Sequence, residues 1–366
     1  MNSTESDRTS LPPAAPLRGA GLAVRFTAIA GAVVVSAGLF LYAGGWFAPH
    51  KLTPARIIDT FEYVNGVHPG FRRNHAKGVC VTGYFDSNGQ GQTVSKAQVF
   101  LPGRVPIVGR FALAGGKPYA DDTPQTVRSL AILFKQPDGE EWRTAMINIP
   151  VFLVRTPQAF NEFNVASSPE PATGKTVPGA MNAFLANHPE TGAALQVIGK
   201  HPFSSGFGDS PYYALNAFRF VNAQGESTPV RWFVTPDQTF QADSAAANGK
   251  NYLFDGLIAQ LHAKPLRWHL ILTLGQPGDS TADATAVWPP DRKQIDAGTL
   301  TINTIESEAT SPTRDINFDP LVLPDGISPS DDPLLSARSA AYSQSFTRRE
   351  REHKTPSAIS TAEVEK

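Results

Sequence analysis

In the stretch RRNHAKGVCV, His75 stands between an arginine pair and a run of small and β-branched residues. A histidine there either fills a half-buried niche at a strand entrance or serves as an acid/base group held over something reactive, because imidazole changes charge near neutral pH. Asn148 raises a second question. It interrupts the apolar run MINIPVFLV, and burying its amide without partners costs on the order of 1–3 kcal/mol. Backbone groups in a bulge or a ligand could supply those partners. Towards the C-terminus, Arg338 and Tyr342 lie four residues apart in PLLSARSAAY and so share one helix face with Leu334. That pair reads either as a surface cation–aromatic contact or as a phenolate stabilised by a guanidinium. A tyrosine ordinarily ionises near pH ~10, and a ferric ion would push in the same direction as the arginine.

Other chemistries find no support. The chain has no G-x-S-x-G, no H-E-x-x-H, no phosphate-binding glycine loop and no C-x-x-C. The remaining histidines, His50, His68, His188, His201, His262, His269 and His353, lack tight zinc-ligand spacing. Asp121 and Asp122 in KPYADDT read as a solvated turn. The single Cys80 excludes an intramolecular disulfide and reads as an inert strand residue. A formal net charge of -1 with 18% charged residues gives no reason to expect nucleic acid as a partner.

The elements that must position these residues are mostly strands. LTPARIIDTFEYVNG reads as a short amphipathic helix, with Thr53 as its cap, Pro54 in its first turn and Ile57, Ile58, Phe61 and Val64 on one face. VCVTGYF, AQVFL, VPIVGRFAL, VRSLAILFKQ and RTAMINIPVFLV then read as strands, with DSNGQG and QPDGEE as turns. Such an antiparallel meander is expected to close or pack on itself to protect its edges. Helical pattern follows on both sides of Pro189, and more strands in ALNAFRFVNAQGESTPVRWFVTP, RWHLILTLGQ and GTLTINTI. A last helix spans PLLSARSAAYSQSFTRRERE, and the polar residues 351–366 are expected to be a disordered tail.

The N-terminus adds a membrane question. Residues 1–25 form a polar leader, and 26–47 form an uncharged run of roughly the 20 residues that span a bilayer. It is read as an uncleaved transmembrane anchor with Tyr42 and Trp46 at the interface, or else as an export signal. The expected location is membrane-anchored with the globular part in the periplasm or exterior; the alternative is secretion to the periplasm. Ala28, Ala32 and Ser36 recur at helix spacing and could mark the face of a homodimer.

Taken together, the order of motifs resembles the monofunctional haem catalase superfamily, and specifically its shorter catalase-related peroxidases. Arg72 stands three residues before His75 in a segment ending HAKG; VGRFALAGG, DTPQTVRSLAILF and MINIPVFLVRTPQAFNEF follow; FDPLVLPDGISPSDDPLLSARSAAY ends in R-x-x-x-Y. The likeness runs from about Pro54 to Arg349. It implies an α+β fold: an antiparallel β-barrel core of the catalase type with flanking helices over residues 52–350, here preceded by one N-terminal transmembrane helix. It also implies haem b as cofactor. His75 becomes the distal acid/base, Asn148 its partner, and Tyr342 the axial iron ligand with Arg338 bonded to its oxygen. Arg72 and Arg110 hold the haem propionates, joined by Arg348 or Arg349, with Arg349 taken here, and Phe160 packs near the distal haem face.

Three positions depart from the family pattern. Ala112 replaces a serine or threonine that bonds the distal histidine, Asn74 replaces an apolar residue that packs on the haem, and Ala114 is small where the channel usually narrows. The chain also ends soon after Tyr342, so high catalase turnover is not expected. The function this implies is a haem-dependent peroxidase reducing hydrogen peroxide or organic hydroperoxides with a small organic electron donor. The alternatives are a hydroperoxide isomerase of the same fold and a non-catalytic, membrane-tethered barrel that binds haem or another ligand.

Overall fold

The computed structural model describes residues 19–44, 52–170, 172–242 and 249–365. The chain falls into two compact units, Met1–Thr53 and Pro54–Lys366. In the first, a single helix α1 covers Gly19–Ala43 with none of its side chains buried. It starts earlier and stops sooner than the expected 26–47, and it takes in Arg25. Its 25 residues make about 37 Å of helix, enough by length and composition to cross a membrane. Ala28, Ala32 and Ser36 are exposed on it. The leader up to residue 18, and Trp46 and Phe47, lie outside the described residues.

In the second unit the expected meander closes. Strands β1 (Gly78–Ser87), β2 (Gly103–Leu113), β3 (Arg128–Lys135) and β4 (Glu141–Ile147) pair in sequence order. The two residues of β5 (Tyr212–Tyr213) bridge β4 to β7 (Ser227–Pro236), which pairs with β8 (Leu266–Leu274), and β9 (Gln294–Glu306) returns to β1. That makes an eight-stranded antiparallel barrel, with β6 (Phe218–Val221) and β10 (Ile327–Pro329) added at one side. Closure removes the exposed edges that an open sheet of this size would carry. The interior is filled by aromatic side chains, among them Phe111, Phe134, Trp142, Trp232 and Trp268, with Phe134 stacked on Trp142 at 4.8 Å. Alternation along the strands turns the other set of residues to the outer face. Arg110, Ser129, Ala131 and Ala145 face a cavity outside the barrel, while their neighbours Phe111, Leu130 and Ile132 enter the core.

Helices cover that face. Helix α2 (Pro54–Asn65) buries Ile57, Ile58 and Phe61, the face expected from its spacing. Helix α3 (Pro157–Ser167) is capped by Thr156, whose hydroxyl accepts from Ala159 N, and α4 (Ala180–Asn187) and α5 (Pro189–Lys200) flank Pro189 as read from the pattern. Helix α6 (Tyr252–Ala263) buries Leu253, Phe254 and Leu257 against the barrel, and α7 (Pro333–Glu350) packs on α2.

Three expectations are corrected. AQVFL is a 3-10 turn over Gln98–Phe100 rather than a strand. The strand in RTAMINIPVFLV stops at Ile147, because Pro150 has no N–H to give a ladder and Asn148 turns to bond backbone. The tail beyond Arg351 is ordered against the barrel rather than loose. Ile359 and Val364 join the core, Ser307 Oγ donates to the Ile359 carbonyl at 2.6 Å, and a Ser360–Glu363 capping box closes the short helix α8 (Thr361–Val364). Two well-placed apolar residues outweigh the polar composition that suggested disorder.

Candidate active site

Between the outer face of β2–β4 and helices α2, α3 and α7 lies a cavity of about 460 Å³. His75 lines it from the loop after α2, half-buried, with a left-handed backbone at φ 55° that a non-glycine residue adopts only when its surroundings impose it. Asn74 Oδ1 lies beside it, accepting from His75 N at 2.9 Å and from Gly115 N at 2.8 Å. The Nδ1 of His75 is buried with no partner in hydrogen-bonding geometry, and Ala112 has only a methyl group where a hydroxyl was expected. Burial first, then the positive charges of Arg110 and Arg338, push the imidazole down to about 3 against a weaker pull from the Leu113 backbone. At neutral pH the ring is therefore uncharged and can accept a proton.

Helix α7 forms the facing wall. Asp332 caps it, accepting from Leu334 N at 2.9 Å, and Pro333 opens its first turn. From there Leu334, Arg338, Tyr342, Phe346 and Arg349 fall on one stripe and line the cavity. The Tyr342 hydroxyl makes no hydrogen bond among the described residues. The bond from Arg338 to that oxygen, which was expected, is not made. Its guanidinium donates to Asn216 Oδ1 and, at 3.4 Å, to the Ala145 carbonyl. Asn216 Nδ2 in turn donates to Asp332 Oδ2 at 2.7 Å, so the carboxylate that caps the helix also anchors the chain that fixes Arg338.

A third group closes one end. Arg72 and Arg110 converge on the buried Glu308: Arg72 Nη1 reaches Oε1 at 2.8 Å, and Arg110 holds both oxygens at 2.7 and 3.0 Å. Gly78 makes room, since a Cβ there would sit 2.5 Å from the Arg110 guanidinium. Burial would raise the Glu308 carboxyl, but Arg110 and Arg72 hold it below the usual carboxylate range. Arg349, 4% exposed, is the third guanidinium, and its Nε is buried without a partner. Three cations against one carboxylate leave a formal excess of two positive charges. Arg348 points elsewhere, to Glu62 at 2.8 Å and Asp59 at 2.6 Å on α2, so of that pair it is Arg349 that faces the cavity.

The two remaining expected residues part ways. Phe160 lines the cavity and packs edge-on against Phe61 at 5.9 Å. Asn148 lies between the lining residues Ile147 and Ile149 but is not itself in the wall; its Oδ1 accepts from Arg128 N at 2.8 Å, and its Nδ2 donates to no described residue. Sequence reasoning missed Glu308, Asn216 and Asp332. The available signals were the Asp332–Pro333 helix start and the need of clustered buried arginines for a carboxylate. Cys80 is inert as expected: burial and the nearby Glu308 push its thiol up to about 12.

These residues fit a flat apolar group that carries two carboxylates and a central metal. The arginine corner has two unmatched charges and an orphaned donor, Tyr342 offers an unbonded phenol, and the wall between them is mostly aliphatic and aromatic. Among the described residues no group of three or more His, Cys, Asp or Glu could hold a metal ion, and a phenol is chemically able to ligate one.

Comparison with known proteins agrees with this architecture. The catalase family model matches residues 49–355. A catalase-related peroxidase of Synechococcus elongatus is 37% identical over 308 residues, which cover 83% of this chain and 91% of that protein. One from Mycolicibacterium paratuberculosis is 30% identical, covering 80% and 94%. The catalase of Rattus norvegicus is 27% identical over 73% of this chain but only 54% of its own length. A fungal catalase structure superposes with a TM-score of 0.70 at 21% identity, over 77% of this chain and 59% of that one; it speaks for the fold alone. Barrel, cavity and matched length leave one conclusion: the chain belongs to the catalase family, among the short catalase-related peroxidases, and is an oxidoreductase that acts on peroxide.

Proposed function

We propose that this chain is a haem b-dependent peroxidase that reduces hydrogen peroxide or organic hydroperoxides with a small organic electron donor and has little catalase activity. The observation that carries the reading is a neutral imidazole, an unbonded phenol and an arginine corner with two unmatched charges around one apolar cavity. Tyr342 would ligate the iron, Arg72, Arg110 and Arg349 would hold the propionates, and Phe160 would pack on the ring. Bound there, haem supplies the electron exchange at which the peroxide O–O bond is cleaved.

The protein's own part is proton movement and positioning. His75 takes a proton from one peroxide oxygen and returns it to the departing one, an assistance worth roughly 10²- to 10⁴-fold. Its low pKa keeps the ring ready to accept. Asn148, whose Nδ2 bonds no described residue, would be the donor to the departing oxygen; it stands between the lining residues Ile147 and Ile149, so the role requires Nδ2 to reach past the wall. Arg338, fixed by Asn216 and the Ala145 carbonyl, offers a set positive charge to a phenolate on its own helix face. The length and composition of α1 support a membrane anchor, and we place the globular unit in the periplasm or exterior.

The test is to produce the second unit from about Leu52, load it with haem and record the absorption spectrum before and after peroxide with an oxidisable dye. A ferric tyrosinate spectrum lost in Tyr342→Phe, with dye oxidation lost in His75→Ala, is the expected result. Failure to take up haem sinks the reading; conversion of a lipid hydroperoxide with no dye oxidised replaces it with the isomerase.

A further inference from the structure

We propose that Asn74 is a working part of the site: its Oδ1 fixes the conformation of His75, and its Nδ2 is a hydrogen-bond donor to the substrate oxygen beside the imidazole. The proposal rests on the peroxide-reducing reading above.

The amide's orientation follows from its partners. Two backbone N–H groups, those of His75 and Gly115, meet one Asn74 side-chain atom at 2.9 and 2.8 Å. An amide nitrogen cannot accept, so that atom is the oxygen, and the NH₂ group is turned the other way. Nδ2 makes no bond to any described residue, and Asn74 lines the cavity directly before His75. A free, uncharged donor beside a neutral acid/base group suits a neutral oxygen acceptor such as hydrogen peroxide or an alkyl hydroperoxide.

The oxygen end has a mechanical role. His75 holds φ 55°, a conformation that L residues disfavour, and its buried Nδ1 makes no well-formed hydrogen bond, the Leu113 backbone exerting only a weak pull on the ring. The direction of the imidazole is then inherited from its backbone, and the backbone is braced by Asn74. The far end of the brace is firm. Ala76 N donates to the Gly115 carbonyl at 3.0 Å, and a Cβ on Gly116 would come within 2.5 Å of the Arg73 carbonyl and 2.9 Å of Asn65, so that loop is packed closely against the His75 segment.

Two substitutions separate the roles. Asn74→Asp keeps the acceptor and removes the donor; Asn74→Ala removes both. In the unloaded full-length chain in detergent, hydrogen exchange at the His75 and Gly115 amides is expected to stay slow in Asn74→Asp and become fast in Asn74→Ala. With haem loaded, kcat/KM for hydrogen peroxide is expected to fall by about tenfold in both, and the loss in Asn74→Asp persists at pH 8. Recovery at pH 8 would instead trace the loss to the new carboxylate raising the imidazole pKa, and overturns the donor role, as does full activity in Asn74→Asp. Unchanged exchange in Asn74→Ala overturns the brace. If the wild type turns over no peroxide, the donor role falls with the proposed function, and the exchange comparison still decides the brace.

Discussion

His75 is unusual among exposed-to-cavity histidines in being pushed down to about 3 from its ordinary value near 6.5. The sign of the consequence can be worked out. Between those values the unfolded chain carries the proton and the folded one does not, so the folded state loses stability as pH falls. This group's contribution is intact above pH ~6.5 and declines by about 1.4 kcal/mol per pH unit towards pH ~3. Urea unfolding of the unloaded protein from pH 7 to 4 should show that slope, and His75→Gln should flatten it. Glu308 supports a second prediction. Glu308→Gln leaves two buried guanidiniums without their carboxylate, at a cost of about 3–5 kcal/mol. An incoming dianion would repay part of that, so the gap in Tm between unloaded and haem-loaded protein should widen relative to wild type. A purely structural role would lower both Tm values equally. At this scale the sequence was readable where a residue carries its own label. His75, Arg110 and Tyr342 announce themselves by type and near neighbours. Glu308 lies 236 positions from Arg72 and 198 from Arg110, and Asn216 122 from Arg338, so nothing local marks them.

Elements were legible in proportion to how regular their patterns are. The buried face of α2 follows from its period and β2, β3 and β4 pair in turn as a meander should, whereas β1 pairs directly with β2 because AQVFL is no strand. Each misread element is decided by a polar contact: the end of β4, where Asn148 bonds Arg128, the turn at Gln98–Phe100, where Val99 N donates to Gln136, and α8, where a serine and a glutamate cap four residues. Asp332 shows what such a contact controls. It caps α7 and holds Asn216, which holds Arg338. Asp332→Asn keeps one capping oxygen but turns its NH₂ against Asn216 Nδ2 and so loses the anchor while keeping the cap, whereas Asp332→Ala loses both and should cost ~1–2 kcal/mol. Both variants should perturb the tyrosinate absorption band of the loaded protein, because Arg338 loses its anchor.

On the scale of the molecule, the barrel is a solid support and the chemistry sits on its flank, roofed by helices and edged by the C-terminal segment. That segment bonds what lies around the arginine corner. Glu352 pairs with Arg73 and accepts from Gly70 N, the Thr355 carbonyl accepts from Arg314 at 2.9 Å, and the Arg314 carbonyl accepts from Arg72. Removing residues 352–366 should lower Tm and speed the loss of bound haem, measured by transfer to an excess of a haem-binding acceptor protein. Chain order gives this strap a further meaning. Arg349, the third guanidinium of the corner, precedes Glu352 by only three residues, so the last wall of the pocket and its latch belong to one final stretch of chain. A pocket whose last wall and latch are one stretch closes in a single event, and a bulky group held there is enclosed by folding rather than passed through a finished door.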